Sequence, residues 1–150
     1  MIRPHATLWR LARDRGGNVA VEFALLMPLL VIILTGLVDF GRATYERMAL
    51  ETAARSAVQY ARQNPNDTAG ITAAALNAGG LDATATVEIP APFCECPDGT
   101  SIGCSTVCPS GDPILRFLSV TVRHDFEPFF PYPGLPSPLA LAGSAVIRVQ

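Results

Sequence analysis

The chain contains no lysine: all eleven of its basic residues are arginine, and only Arg116, Arg123 and Arg148 lie beyond Arg62. That leaves no basic stripe to follow a phosphate backbone, so no nucleic-acid partner is expected. Histidine is nearly as scarce. His5 lies near the N-terminus and His124 at a strand end beside Asp125, and neither has companions for a triad or a metal site. Gly-x-Ser-x-Gly, phosphate-loop and dinucleotide fingerprints are absent as well. Ser119 and Asp125 read as strand-face and turn residues. With no set of side chains to carry catalysis, the sequence reads as a non-enzyme with no cofactor. Charged residues make up only 16% of the chain while 49% is apolar, which raises the question of where the apolar mass sits.

Much of it sits in one run. Residues 23–38 are sixteen consecutive positions without a charge, and only Glu22 interrupts the extension back to Val19. A continuous helix over about 19–38 would cross a bilayer, whose core takes roughly 20 apolar residues. Arg3, Arg10, Arg13 and Arg15 precede the run against Asp14 alone, which predicts a cytoplasmic N-terminus and an external remainder.

Residues 1–17 read as a polar leader ending in Gly16-Gly17, a pair that resists helix formation because glycine loses the most backbone entropy. From Asn18 helix formers continue to Gln63, and Asn64-Pro65-Asn66-Asp67 is a stop signal. Those 46 residues at about 1.5 Å each would make a helix of roughly 70 Å, about twice the hydrocarbon thickness. Pro28 removes one backbone hydrogen bond and frees a carbonyl near Ala24, so a kink or local melting is expected. Membrane helices tolerate such a proline; the functional alternative is flexibility that helps extraction from the bilayer.

Beyond the run, one helical stripe carries Gly41, Tyr45, Met48, Ala49, Thr52, Ala53, Ser56, Ala57 and Tyr60, with Arg42, Glu46, Arg47, Glu51, Arg55 and Arg62 elsewhere. Small residues admit close approach, either of the chain's own head or of neighbouring subunits. Residues 64–150 read as that head. Asp67 or Thr68 caps a short helix through Ala78, stopped by Gly79-Gly80. Alternation over 84–89, 118–123 and 141–149 predicts three strands in a small antiparallel sheet, with the long helix as its cover. The fold class is therefore α+β. Two loops interrupt the strands: the cysteine loop, 90–113, and the loop 127–138 with Phe129, Phe130 and Tyr132. Their prolines argue against a central strand in either. The aromatic loop reads most simply as a hydrophobic flap over the sheet, with a membrane-surface or partner contact as the sharper alternative.

Cys94, Cys96, Cys104 and Cys108 fall within fifteen residues, on the side expected to face an oxidising compartment, which favours disulfides. The single residue between Cys94 and Cys96 is short of the spacing usual in zinc sites, so no metal is assigned. A direct Cys94–Cys96 bridge would be strained, leaving crossed or nested pairings; the nested one, Cys96 with Cys104 and Cys94 with Cys108, would close a hairpin-like loop. Such bonds stiffen a segment rich in proline and glycine, and the tip they hold is a candidate recognition surface.

The junction reads Arg15-Gly16-Gly17-Asn18-Val19-Ala20-Val21-Glu22-Phe23, followed by the apolar run. It resembles a type IV prepilin processing site. With Glu22-Phe23, no lysine in the leader and a proline in the run, the chain is similar to the TadE-like pseudopilins of the tight-adherence (Flp) pilus system. Asp39-Phe40-Gly41-Arg42, Ala53-Ala54-Arg55 and the terminal Ala145-Val146-Ile147-Arg148 carry the same resemblance. It is strong over about 16–63, moderate over the last strand and weak across the cysteine loop.

The resemblance implies a pilin-like helix, cleavage between Gly17 and Asn18 by a prepilin peptidase, and a single-pass protein of the bacterial inner membrane with its head periplasmic. Its partners would be other pilin and pseudopilin subunits, the inner-membrane pilus assembly platform and membrane lipid. Asn18 departs from the phenylalanine many type IV pilins carry at the mature start, which bears on methylation of the new terminus.

Elementary electrostatics gives Glu22 a role of its own. A carboxylate inside an apolar membrane helix costs about 2.5–3.5 kcal/mol. Cleavage after Gly17 would create a partner, since the α-amine of Asn18 lies one turn away and could also meet Glu22 of an adjacent chain. The alternative is an interfacial Glu22 that snorkels to the headgroups. A competing cut after Gly41-Arg42-Ala43 would release 44–150, but the run exceeds a secretory h-region. The mature chain, 18–150, would hold seven arginines against twelve acids, a formal charge of −5, which disfavours binding to anionic surfaces. Two functions follow: a minor pseudopilin of the assembled pilus, or a permanently anchored periplasmic binding or scaffold module.

Overall fold

The computed structural model describes residues 18–81 and 84–149. The chain divides into two compact units, Met1–Val38 and Asp39–Gln150. The described part of the first unit is wholly helical and is the opening half of α1 (Asn18–Gln63). Its apolar side chains, among them Leu25, Ile32 and Ile33, lie open rather than packed. A helix this long and apolar is sufficient to cross a membrane. α1 continues unbroken through Pro28, so the local melting expected there does not occur. The fixed φ of proline is compatible with a helix, and only one bond of the ladder is forfeited.

The second unit is α+β: the rest of α1 packs on a small antiparallel sheet. A short helix, α2 (Thr68–Gly79), follows α1. Asp67 caps it by accepting the Gly70 N–H at 2.9 Å, and the Tyr60 hydroxyl donates to the same carboxylate at 2.8 Å. Gly80, at φ +59°, ends it in the left-handed region.

Among the described residues five strands follow where three were expected: β1 (Thr86–Glu88), β2 (Phe93–Glu95), β3 (Ser101–Ile102), β4 (Leu115–Phe126) and β5 (Leu139–Val149). β4 and β5 pair along their whole length, from Arg116 with Val149 to Phe126 with Leu139. The other edge of β4 is shared, β1 taking 121–123 and β2 taking 115–117. β2 and β3 lie within the cysteine loop, which was read as having no central strand. The reason is positional: β2 occupies the gap between Pro92 and Pro97, so no proline is asked to donate to the ladder.

Leu118, Val120 and Val122 point from one face of β4 into the core, where they meet Leu50, Ala53, Ala54, Ala57, Val58 and Ala61 of α1 and Ile71 and Ala75 of α2. The helical face that packs is therefore not the stripe read from the sequence. Ala53 and Ala57 belong to both, but Tyr45 is 77% exposed and Met48 66%. Burial follows from apolar volume at 50, 53, 54, 57, 58 and 61, a face turned away from Tyr45 and Met48. The approach is closest at Gly143 of β5, where an added Cβ would lie 2.6 Å from the Leu50 carbonyl oxygen.

Candidate functional site

Residues 1–17, the expected leader, and with them Gly17, lie outside the described residues. Asn18 opens α1, and Glu22 and Phe23 follow one turn later on an open helix surface. Among the described residues no side chain pairs with Glu22. The bond after Ala43 lies inside α1.

The cysteines form two bonds, Cys94–Cys104 and Cys96–Cys108, with Cα–Cα distances of 5.1 and 5.8 Å. This is the crossed arrangement, not the nested closure of a hairpin. Register explains it. β3 pairs antiparallel with β2 so that Ile102 faces Cys94, and the chain beyond β3 runs away from Cys96 toward Pro92. Cys104 therefore reaches Cys94 first, leaving Cys108 for Cys96. Between the bonds a turn closes through the Gly99 N–H to the Cys96 carbonyl at 2.9 Å, with Gly99 at φ +84°. Asp98 accepts the Thr100 N–H, which holds its carboxyl below the ordinary value. Cys94, Cys96 and Cys108 are buried, so the bonds form a small covalent core for a segment with little apolar volume.

Among the described residues the most heavily hydrogen-bonded carboxylate belongs to a residue to which the sequence assigns no site. Asp39, only 4% exposed, accepts the Phe129 N–H at 3.1 and 3.0 Å on its two oxygens and the Tyr132 hydroxyl at 2.9 Å. Arg42 reaches it at 3.4 Å, and the same guanidinium lies 4.2 Å from the Phe129 ring centroid and 5.1 Å from that of Phe126. Burial pushes the Asp39 carboxyl up. The Phe129 N–H, the Tyr132 hydroxyl, the Phe130 N–H and the Arg42 charge outweigh burial and hold it below the ordinary value. Burial and the same pairing push the Tyr132 phenol up.

The loop 127–138 is thus tied to α1 through Phe129 and Tyr132. Phe129 and Phe130 stay 64% and 59% exposed. An acid directly after an apolar run was the available signal, but its loop partners, Phe129 and Tyr132, lie about ninety positions downstream.

His124 also has companions the sequence did not show. It lies within β4, its Nδ1 meeting the Glu46 carboxylate and its Nε2 lying 2.8 Å from the Thr84 hydroxyl. These contacts tie α1 to the sheet at a second point. Arg123 beside it pairs with Glu88 across β4 and β1 at 3.0 Å.

Residues 17–59 match the family model described as TadE-like protein. Over those residues the chain is similar to TadE-like proteins. No curated protein and no solved structure matches the chain. The TadE-like segment begins at Gly17 and contains Glu22, Phe23 and the whole apolar run. It also contains Asp39, Arg42 and Glu46, each of which binds residues outside it. The disulfides and all five strands lie beyond the TadE-like segment.

Proposed function

We infer that this chain is a minor pseudopilin of a tight-adherence pilus, anchored by residues 19–38, with 1–17 as a cytoplasmic leader and 64–150 as an extracytoplasmic head. The observation that carries this reading is where the TadE-like segment starts. Its first residue is Gly17, the glycine at which a prepilin peptidase would cut, and Glu22 follows at the fifth position of the resulting chain. The role is structural: the helix supplies the packing element, the head supplies specificity, and neither requires a cofactor.

Glu22 acts in this reading as a docking group. It has no partner within the described chain, and an unpaired carboxylate in hydrocarbon is costly. The amine of Asn18, freed by cleavage, would neutralise it in the same chain or in a neighbour and so set an axial register. Prepilin peptidase, the assembly platform and other pilin subunits are the partners this requires.

Mature-terminus sequencing tests the proposal. Protein recovered from cells with an active prepilin peptidase is expected to begin at Asn18, and protein from cells lacking it at Met1. A chain that begins at Met1 in both is a permanently anchored scaffold module instead.

A further inference from the structure

The loop between β4 and β5 holds large rings in the open although its backbone is fixed. Phe129, Phe130 and Leu135 are all more than half exposed. The root of the loop is clamped by the Phe129 N–H and Tyr132 hydroxyl on Asp39, and its turn is closed by the Leu135 N–H on the Tyr132 carbonyl at 3.1 Å. Rings carried on a backbone clamped in this way are kept at a fixed place on the molecule.

That place is defined by chain position. Asp39 directly follows Val38, the last residue of the uncharged run, and one helical residue advances about 1.5 Å along the axis. If the run fills the hydrocarbon core, Asp39 falls where headgroups begin. Phenylalanine and leucine are among the side chains that interfacial segments sink into the headgroup and acyl boundary, and tyrosine, with its polar hydroxyl, is enriched at the same depth. Arg42 suits the same level. Its stem runs to a guanidinium stacked on Phe129 that remains partly open to solvent, the arrangement by which an arginine reaches phosphate from an apolar surface.

We propose that the loop 127–135 rests in the headgroup layer of the bilayer that α1 crosses, with Phe129 and Phe130 as interfacial anchors that seat the head on the membrane. The proposal rests on residues 19–38 spanning that bilayer and is independent of cleavage at Gly17. Lipid is favoured over a protein partner because the exposed rings are fixed at the residue where the apolar run ends.

The test uses the full chain in phosphatidylcholine vesicles, with Trp9→Phe removing the natural tryptophan. Single reporters are placed by Phe130→Trp in the loop, Leu30→Trp in the run and Val107→Trp in the cysteine loop. Lipids brominated high on the acyl chain are expected to quench the Phe130→Trp emission at least about twofold, and to leave Val107→Trp unchanged. Leu30→Trp is expected to respond to bromine placed deep. If Leu30→Trp is quenched while Phe130→Trp emits as fully solvated, the interfacial loop is overturned and the membrane span stands. If Phe130→Trp is blue-shifted but insensitive to bromine, its ring is buried in protein, and the lipid assignment is overturned in favour of a subunit contact. If Leu30→Trp is not quenched either, the span fails and the interfacial loop with it.

Discussion

Both oxygens of Asp39 accept the same backbone donor, the Phe129 N–H, at 3.1 and 3.0 Å across about ninety positions of sequence. The bond joins the helix just past its apolar run to the loop between the two longest strands. It makes the ionised form of Asp39 a structural element.

The pH dependence of the head follows from that pairing. Because its interactions with Phe129, Tyr132, Phe130 and Arg42 outweigh burial, the folded carboxyl titrates below the unfolded value of 3.8. The stabilisation is therefore complete above that value and is lost as pH falls through the lower, folded one. Asp39→Asn in detergent-solubilised protein is expected to melt below wild type at pH 7, with the gap narrowing once the pH drops under 3.8. Thermal melts across pH 2 to 7 check this. A gap that is constant with pH would show that the charge of Asp39 plays no part.

At Gly143 the constraint is steric. A methyl group there would overlap the backbone of α1 at Leu50 and Glu51, and neither backbone can rotate away as a side chain could. Gly143→Ala is expected to lower stability by about 1–3 kcal/mol, the range for overpacking a close contact. Gly41→Ala, where a Cβ meets nothing within 4 Å, is expected to be neutral or to stabilise the helix by up to about 1 kcal/mol. Denaturant midpoints of the two variants, measured side by side, separate contact from propensity.

The disulfide pairing is open to a thiol count. Removing a bonded pair, Cys94→Ser with Cys104→Ser, is expected to leave no free thiol because Cys96–Cys108 remains intact. Removing Cys94 and Cys108 instead is expected to leave two thiols that label with maleimide under denaturing conditions. Each bond lost is expected to cost roughly 2–4 kcal/mol. Labelling of the first variant and not the second would reverse the assignment to the nested pairing.

On the proposed pseudopilin reading, Glu22→Ala separates processing from assembly. Removing the carboxylate leaves Gly17 and the apolar run in place, so cleavage is expected to continue near the wild-type level. Incorporation of the mature chain into pili is expected to fall, because no acid remains to meet the Asn18 amine. Immunoblots of cell and sheared-pilus fractions measure both steps, and normal pilus numbers in this variant would refute the docking role.

Local signals in the chain were sufficient for the helical elements and their ends. The apolar run, the stop at Asn64-Pro65, the Asp67 cap and the left-handed Gly80 each act through residues within a few positions of one another. Strand alternation likewise placed β4 and β5, though each proved longer than its apolar core, because pairing with a full-length neighbour extends a strand beyond its own pattern. Of the two partners open to the small-residue stripe, the chain's own sheet takes only its Ala53 and Ala57 edge, since small residues occur on both sides of α1. Only the sheet, presenting Leu118, Val120, Val122 and Gly143, selects Leu50, Ala54, Val58 and Ala61 over Tyr45 and Met48.

What the sequence determined by itself, then, is a membrane-length helix with one acid in it, a glycine junction before it and a cysteine-bearing head after it. These are short-range matters of composition, charge and spacing. Tertiary structure alone decided that the disulfides cross, that His124 meets Glu46, and that Asp39 holds the aromatic loop. Each depends on strand register or on residues tens of positions apart. Such contacts form only once the chain has closed the intervening loops, and no local pattern records which partner will be there when it does.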